Sequence, residues 1–506
     1  MYSAAWMFAH GFAVCVIDPG SHFMQSWNAR FDALEIDHLR SPAFAHPMAW
    51  SPSALVDYAI QEDRTSELID APVKGPHGWL ATTDLGPQAK MLTSLPSNAL
   101  FRDFCSSLEA KIPHRWLSGA AKSVCKDSTS GKFRVHYRAT AEKVKESVVV
   151  ARAVIFATGP VGKWNVPVPF VPHCASRLVL HTEELLAECK GTTLSEEITR
   201  RCPGDSAQVL IIGGGISAAQ AALAAFRAGH RVVLRSRRAL QTRAFDIGSE
   251  WLDVRSADRL RFEFLCLPMR QRRKAVREAS AGGSVPERYM KELQRLSHDS
   301  DALRLEVDEA IDCSHVCIDH KAGIVSVNGE KFGMVILATG VETTASTSPL
   351  YESVEELFGA PTINGLPRVD SRLRWVPDED LFVLGANAML ELGPGGGNLM
   401  GAMKGARVVS NQLHRLLWSP SDGHKACPPR SIFSNMYASL GDRQRFGDGS
   451  EAEIDVLAQQ LNLSPQAETA LRKARKDNKA TKGLKGERSP LASLHMSART
   501  RRAAYW

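Results

Sequence analysis

The sequence predicts an α/β fold: two Rossmann-like dinucleotide-binding domains with β-meander crossovers, followed by a disordered basic C-terminal tail. Three observations carry that expectation. The stretch Val209–Arg238 reads as an apolar strand, a glycine turn, a small-residue helix and a second strand ending in arginines. The first twenty residues repeat the later part of that unit. Two β-prone stretches each lead into a strand closing in Ala-Thr-Gly, at 157–159 and 338–340.

Within the 209–238 unit, Gly213 allows the tight turn and Gly215 lets the backbone approach a pyrophosphate. Ala218 lets helix and strand pack closely. The helix N-terminus then presents free N–H groups and positive dipole to that pyrophosphate. A glycine triplet alone is a weak signal; the flanking strand, helix and second strand make it specific. An acidic residue at the end of the second strand would bind the ribose 2′-hydroxyl of NAD. Arg235, Ser236, Arg237 and Arg238 stand there instead and suit the additional phosphate of NADP. The plainer alternative is a glycine-rich strand–helix turn with a solvated basic end.

In the N-terminal repeat Gly11 aligns with Gly229 and AVCVID with RVVLRS, which sets Asp18 opposite Ser236. The same offset sets Met1 opposite Ala219, so the first strand and glycine loop of this unit are missing. A helix, a strand and an acidic end remain, and Asp18 would hold an adenosine ribose in an intact unit. The expectation is a natural form that starts ~20–30 residues earlier, the length of a strand and its loop. A secretory signal is the alternative. The segment lacks a basic start, His10 interrupts its apolar run, and Asp18-Pro19 closes it where small residues would be needed.

At 506 residues the chain is long enough for at least two domains. No apolar run approaches the length that spans a bilayer. The ten cysteines form no C-x-x-C pair, which argues for a reducing, cytoplasmic setting and against a dithiol reductase or a zinc site. Cys313 and Cys317 read as scattered thiols of a small β-layer. The net charge of +7 is local: residues 471–506 carry eleven Lys or Arg against Asp477 and Glu487. That basicity belongs to a solvated tail and not to a binding face; binding of RNA or an anionic surface through the tail is the alternative. No metal-ligand spacing is present, and oligomeric state is not legible.

A helix is expected at Ser97–Ala110, β-runs at Ala121–Cys125, Lys132–Tyr137 and Ser147–Ala151, and a strand at Ala153–Ala157. Residues 1–160 and 332–417 read as one domain and 161–331 as the other, with a helical insertion near 239–300. Short strands follow around 303–328, then strands at Met334–Ala338 and Leu381–Leu384. The loop Gly393–Gly397 opens a helix from Asn398 to Leu417, a further N-terminus suited to a phosphate or flavin edge. Beyond residue 417 the expectation is a weak helix near 451–475 and disorder.

Several stretches resemble the two-dinucleotide-binding-domain flavoproteins, and among them the lysine and ornithine N-monooxygenase-like proteins. They are DPGSHFMQSWNARFDALEIDHLRSPAFAHP, FDIGSEWL, RRKAVREASAGGSVP and ANAMLELGPGGGNLMGA, within residues 1–417. The resemblance implies FAD in the N-terminal unit and NADPH in the central one. It places Asp18 on the FAD ribose, Trp27 near the flavin, and Gly159 and Gly340 at the two cofactor-facing turns. Gly385, Asn387, Gly393 and Asn398 would line the pyrophosphate and isoalloxazine. Gly213, Gly215, Ala218, Arg235, Arg237 and Arg238 would hold NADPH. The chain departs from the family in lacking the FAD glycine loop and an F-x-G-x-x-x-H signature. It also has Gly333 where an aspartate often precedes the second Ala-Thr-Gly.

The implied activity is an NADPH-dependent flavin monooxygenase acting on a small molecule, with the chemistry carried by the cofactors and no catalytic acid or base assigned. A flavin reductase or dehydrogenase serving another acceptor, and a non-catalytic nucleotide-binding protein, are the alternatives. Arg272, Arg273 and Lys274 read as a solvated helix face more readily than as a phosphate site. His22, His38, His46, His181 and Trp164 read as loop or packing residues.

Overall fold

The computed structural model describes residues 13–417, save 49–50, 72–86, 113, 141–145, 175, 203–206, 252–253, 281 and 309–314. All of them lie in one of two compact units, Met1–Ser419. The helix expected before Gly11, Cys313 and the whole tail fall outside the described residues. No described helix is long and apolar enough to cross a membrane.

The first sheet runs β1 (Cys15–Asp18), β2 (Arg115–Lys126), β3 (Phe133–Ala139), β4 (Glu146–Ala151), in that spatial order. β1 and β2 are parallel, and β2–β3–β4 form an antiparallel meander. Phe133, Val135 and Tyr137 of β3 are buried while Arg134 and Arg138 are exposed, the period-2 alternation of a half-covered sheet. β2 begins at Arg115 rather than Ala121. Arg115–Ser118 serve the parallel pair and Gly119–Lys126 the meander, whose register shifts between Ala121 and Ser123. The helix Asn98–Glu109 forms where expected, capped by the Ser97 hydroxyl accepting from Leu100 N.

Next come β5 (Val154–Phe156), β6 (Gly162–Trp164), β7 (Val179–His181), β8 (Gln208–Ile212), β9 (Arg231–Ser236) and β10 (Leu303–Val307). β11 (Met334–Leu337), β12 (Val341–Thr343) and β13 (Leu381–Val383) complete the set used below. A five-stranded, all-parallel sheet has the order β10-β9-β8-β11-β7. Val209–Ile212 and Met334–Leu337 are fully buried, as apolar runs covered on both faces must be. The helix Ile216–Arg227 covers one face with its alanines; the antiparallel strands between Val316 and Phe332 cover the other.

Two expectations change here. β11, expected with the 332–417 segment, is hydrogen-bonded between β8 and β7, because a strand buried along its whole length must pair its backbone N–H and C=O groups on both edges. The helix Glu287–Asp299, expected as insertion, packs Met290, Leu293 and Leu296 into the core beneath Ile216–Arg227. It is the crossover that returns the chain to β10. The inserted helices are Val254–Cys266 and Met269–Ser280.

β5 and β13 form a separate parallel pair over a core containing Tyr351, Trp375 and Phe382. β6 and β12 pair antiparallel, with Trp164 opposite Val341.

Candidate functional site

The two Ala-Thr-Gly turns follow β5 and β11. Gly159 and Gly340 adopt φ 70° and 80°, and a Cβ built on either meets nothing within 4 Å. Glycine is required there by the backbone, and the space beside each turn is open. The β6–β12 ribbon carries the chain away from both turns. It brings Asn165 N to Gly340 O at 3.0 Å and the Thr339 hydroxyl onto Asn165 O.

His181, at the end of β7, locks the second turn from behind. Its Nδ1 accepts from Glu183 N at 3.2 Å and so caps the helix Thr182–Glu188. Nδ1 being the acceptor, Nε2 carries the proton and donates to Gly340 O at 3.2 Å. The Trp164 indole stacks on the imidazole at 5.3 Å and 4°. Burial holds the His181 pKa below its ordinary value.

Asn387 locks the first turn. It is fully buried, and its Nδ2 donates to Gly159 O at 2.8 Å and lies 3.0 Å from the Tyr351 hydroxyl and 3.2 Å from Thr158 Oγ1. Burial pushes the Tyr351 phenol up to about 12, so it stays neutral. The Asn387 Oδ1 is buried with no partner. An unpaired buried acceptor costs about 1–3 kcal/mol. Gly385, two residues away at φ 70°, again has open space at its Cβ position. An acceptor without a donor beside an open turn fits a hydroxyl-bearing ligand such as FAD.

Trp27 lies on the helix Gln25–Ala33, stacked on Phe31 at 4.4 Å, and its indole N–H is also buried without a partner. At the end of β1, Asp18 Oδ1 accepts from Gly20 N at 2.7 Å, which fixes the carboxylate at the strand end. Gly393 (φ 84°) lies under the Phe264 ring, and Ile247 covers Gly395. Asn398 is used internally: its Oδ1 accepts from Gly401 N to cap the last helix, and its Nδ2 faces Asp246 at 3.3 Å. Ile247 and Asp246 belong to the FDIGSEWL loop, which therefore closes over the glycine-rich loop.

That loop is held by Arg40. Its Nε donates to Ala244 O at 2.8 Å, and its Nη2 to Arg243 O, Phe245 O and the Ser284 hydroxyl at 3.0, 2.6 and 2.7 Å. Burial pulls the Arg40 pKa down to about 10.

Around the dinucleotide loop, a Cβ on Gly213 would meet Ala338 O at 2.3 Å, so this glycine admits the neighbouring strand. Ala218 is fully buried against the sheet. The Gly283 backbone borders Gly215, with a Cβ built on Gly283 3.3 Å from the Gly215 Cα. Arg235 corrects the expectation. Strand alternation turns it away from the loop, and its guanidinium, 12% exposed, pairs with Glu306 at 2.7 Å and Glu330 at 3.4 Å. Ser236 faces the loop instead, its Cβ 3.5 Å from a Cβ built on Gly214. Arg237 and Arg238 are exposed beyond the strand, and Arg238 lies against Gly282.

The basic run is likewise not a uniform solvated face. Arg272 is largely buried, donating to Leu265 O, Leu267 O, Leu390 O and Glu391. Arg273 binds Asn364 O, Glu342 and Thr343 O; Lys274 alone is solvated, paired with Glu278 at 3.7 Å. His46 is buried in packing, its Nδ1 accepting from Met48 N and its pKa lowered to about 4 by burial. Sequence reasoning missed Arg40 and Tyr351, whose partners lie 203–244 and 36 or more residues away.

No family model matches the chain, and no curated protein does. Solved structures do match. DfoA, a cadaverine monooxygenase of desferrioxamine biosynthesis from Erwinia amylovora solved with FAD, superposes with a TM-score of 0.59 at 15% identity. That match covers 85% of this chain and 96% of DfoA. The chain shares its fold. The ornithine hydroxylase PvdA from Pseudomonas aeruginosa gives 0.57 at 16% identity, over 82% of this chain and 97% of its own. The Kutzneria ornithine N-hydroxylase KtzI, solved with reduced FAD, NADP+ and L-ornithine, gives 0.58 at 13% identity, over 82% and 97%.

Proposed function

We propose that the chain is an FAD-dependent, NADPH-using oxidoreductase, a flavin monooxygenase acting on a small molecule, built on two dinucleotide-binding units. One observation carries the reading: the partnerless Asn387 Oδ1, buried between the open Gly159 and Gly385 turns, in a fold shared with monooxygenases solved with FAD. Asn387 accepts a hydroxyl donor from the flavin nucleotide, and the Trp27 indole N–H is a second unsatisfied group for it. Asp18 takes the ribose end, and Gly340 and Gly385 give the backbone room. Gly213, Gly215 and Ala218 form the NADPH loop, with Arg237 and Arg238 on the 2′-phosphate. When bound, the cofactors supply hydride transfer from nicotinamide to flavin and reduction of dioxygen by the reduced flavin. Arg40 holds the loop that packs Ile247 over Gly395, which keeps water from that side.

Titration calorimetry of the purified chain is expected to show NADPH binding more tightly than NADH, and FAD uptake. Oxygen consumption with NADPH then identifies the oxygenase, while flavin reduction without it moves the assignment to a reductase. A folded chain that binds neither cofactor overturns the reading.

A further inference from the structure

A continuous line of contacts joins the two glycine-rich turns, Gly213–Gly215 and Gly393–Gly397. It begins at residues 282–285, just ahead of the helix Glu287–Asp299. The Gly283 backbone, at φ 107°, lies on the N-terminal end of the helix Ile216–Arg227. A Cβ built on Gly283 would stand 3.3 Å from Gly215 Cα and 3.6 Å from Gly215 N. Leu240 comes as close to the neighbouring residue, its Cδ2 3.8 Å from a Cβ built on Gly214. A ligand seated on this turn therefore borders both segments.

From there the line runs through the main chain. Val285 N donates to Gln241 O at 2.9 Å, and Arg243 N to Val285 O at 3.1 Å, which sets Thr242 opposite Val285 in a parallel bridge. Val285 is fully buried in the core that holds Ala218. These two bonds anchor residues 241–243 and stop there.

Side chains hold the next residues. Ser284 is 3% exposed; its hydroxyl accepts from Arg40 Nη2 at 2.7 Å and faces Phe245 O at 3.5 Å. The same guanidinium donates to the carbonyls of Arg243, Ala244 and Phe245. Its planar fork is rigid, so the donors to Ser284 and to the three carbonyls move together. Asp246 and Ile247 complete the line, Asp246 facing Asn398 Nδ2 at 3.3 Å and Ile247 lying over Gly395.

We propose that Ser284 is a positioning residue that passes occupancy of the Gly213–Gly215 turn, through Arg40, to residues 244–247 over Gly395, on the reading that this turn is the nicotinamide-nucleotide loop. A ligand shifts such a segment only by interacting differently with its two arrangements. Residues 282–285 meet that condition, because they border the turn on one side and hold Arg40 on the other. The loop over the flavin-side turn is then fixed in place when the nucleotide is seated, and water is kept from that side at the same moment.

Hydrogen exchange of the full chain, followed in peptides with and without saturating NADP+, tests this. NADP+ is expected to slow exchange in residues 213–219 and, by about fivefold or more, in residues 244–251. In Ser284→Ala the first effect should remain and the second should fall away, because the Val285 bonds reach only to Arg243. Should Ser284→Ala not fold, Arg40→Lys takes its place, since an ammonium cannot hold Ser284 and three carbonyls together. The quantity read is the ratio of rates with and without NADP+, which a purely structural loss leaves unchanged.

Protection confined to 213–219 in the parent chain overturns the role of Ser284 and leaves the nucleotide reading standing. Protection of 244–251 that survives in the variant also overturns it, and shows the nucleotide touching that loop directly. Absence of protection at 213–219 defeats the nucleotide reading itself, and the relay with it.

Discussion

The guanidinium of Arg30 grips the carboxylate of Glu183 through two bonds, Nη1 to Oε2 at 2.7 Å and Nη2 to Oε1 at 2.6 Å. Arg30 lies on the helix that carries Trp27, and Glu183 lies in the first turn of the helix capped by His181. The pair therefore ties the helix Gln25–Ala33 to the structure behind the Gly340 turn. Its side chains are 40% and 28% exposed, so solvent limits its contribution to about 1 kcal/mol. A double-mutant cycle of Arg30→Met and Glu183→Gln should return a coupling of that size, shrinking in high salt. Zero coupling at low salt would show the contact to be incidental.

Acid should weaken the same junction. The Arg30 hydrogen bonds hold Glu183 below the usual carboxylate range, and burial holds His181 below the usual imidazole range. Both folded values are depressed. The stability each contributes is present above its unfolded pKa, about 4.3 and about 6.5, and is lost as pH falls through the folded values. Urea unfolding should show stability declining below about pH 6.5. His181→Asn keeps an acceptor for Glu183 N–H and should flatten the upper part of that decline. An unchanged profile in the variant would place the titration elsewhere.

Arg40→Ala removes the donors to four acceptors at once, three of them backbone carbonyls of residues 243–245. The expected cost is about 3 kcal/mol, with faster proteolysis in the loop around Ile247. Arg40→Lys should recover only part, since an ammonium cannot present the planar fork. A lysine variant as stable as the parent would contradict the fork geometry.

Arg235 and Arg237 should separate cleanly. Arg235→Ala removes one of the two arginines, the other being Arg304, that bridge Glu306 and Glu330, and should lower stability while leaving the NADPH to NADH preference unchanged. Arg237→Ala should cut that preference about tenfold with little loss of stability. If both variants keep the parental ratio in equilibrium binding, the 2′-phosphate does not rest on this strand end.

Local signals were legible where one segment supplies both partners of a contact. The Ser97 cap, the alternation of Phe133–Tyr137 and the apolar runs of β8 and β11 each follow from neighbours in sequence. The side an arginine takes was misjudged at Arg235, because a basic cluster does not reveal which of its members the strand turns toward the carboxylates of Glu306 and Glu330. The helix Glu287–Asp299 was misplaced because its apolar spacing says that it is buried but not against which helix. Gly159 and Gly340 were visible from the repeated Ala-Thr-Gly. The locks behind them, Asn387–Tyr351 and His181–Trp164, join residues 36 and 17 positions apart and carry no local pattern.

By itself the sequence determined the periodicities, the glycine turn with its small-residue helix, and the internal repeat. These depend on backbone sterics and side-chain alternation, which act over a few residues. Tertiary structure alone decided that β11 joins the second sheet, that Arg40 holds the FDIGSEWL loop, and that Asn387 keeps a buried acceptor beside an open turn. Those outcomes depend on which distant groups share a low-dielectric interior, where every unmet hydrogen bond is costly and its partner can come from anywhere in the chain.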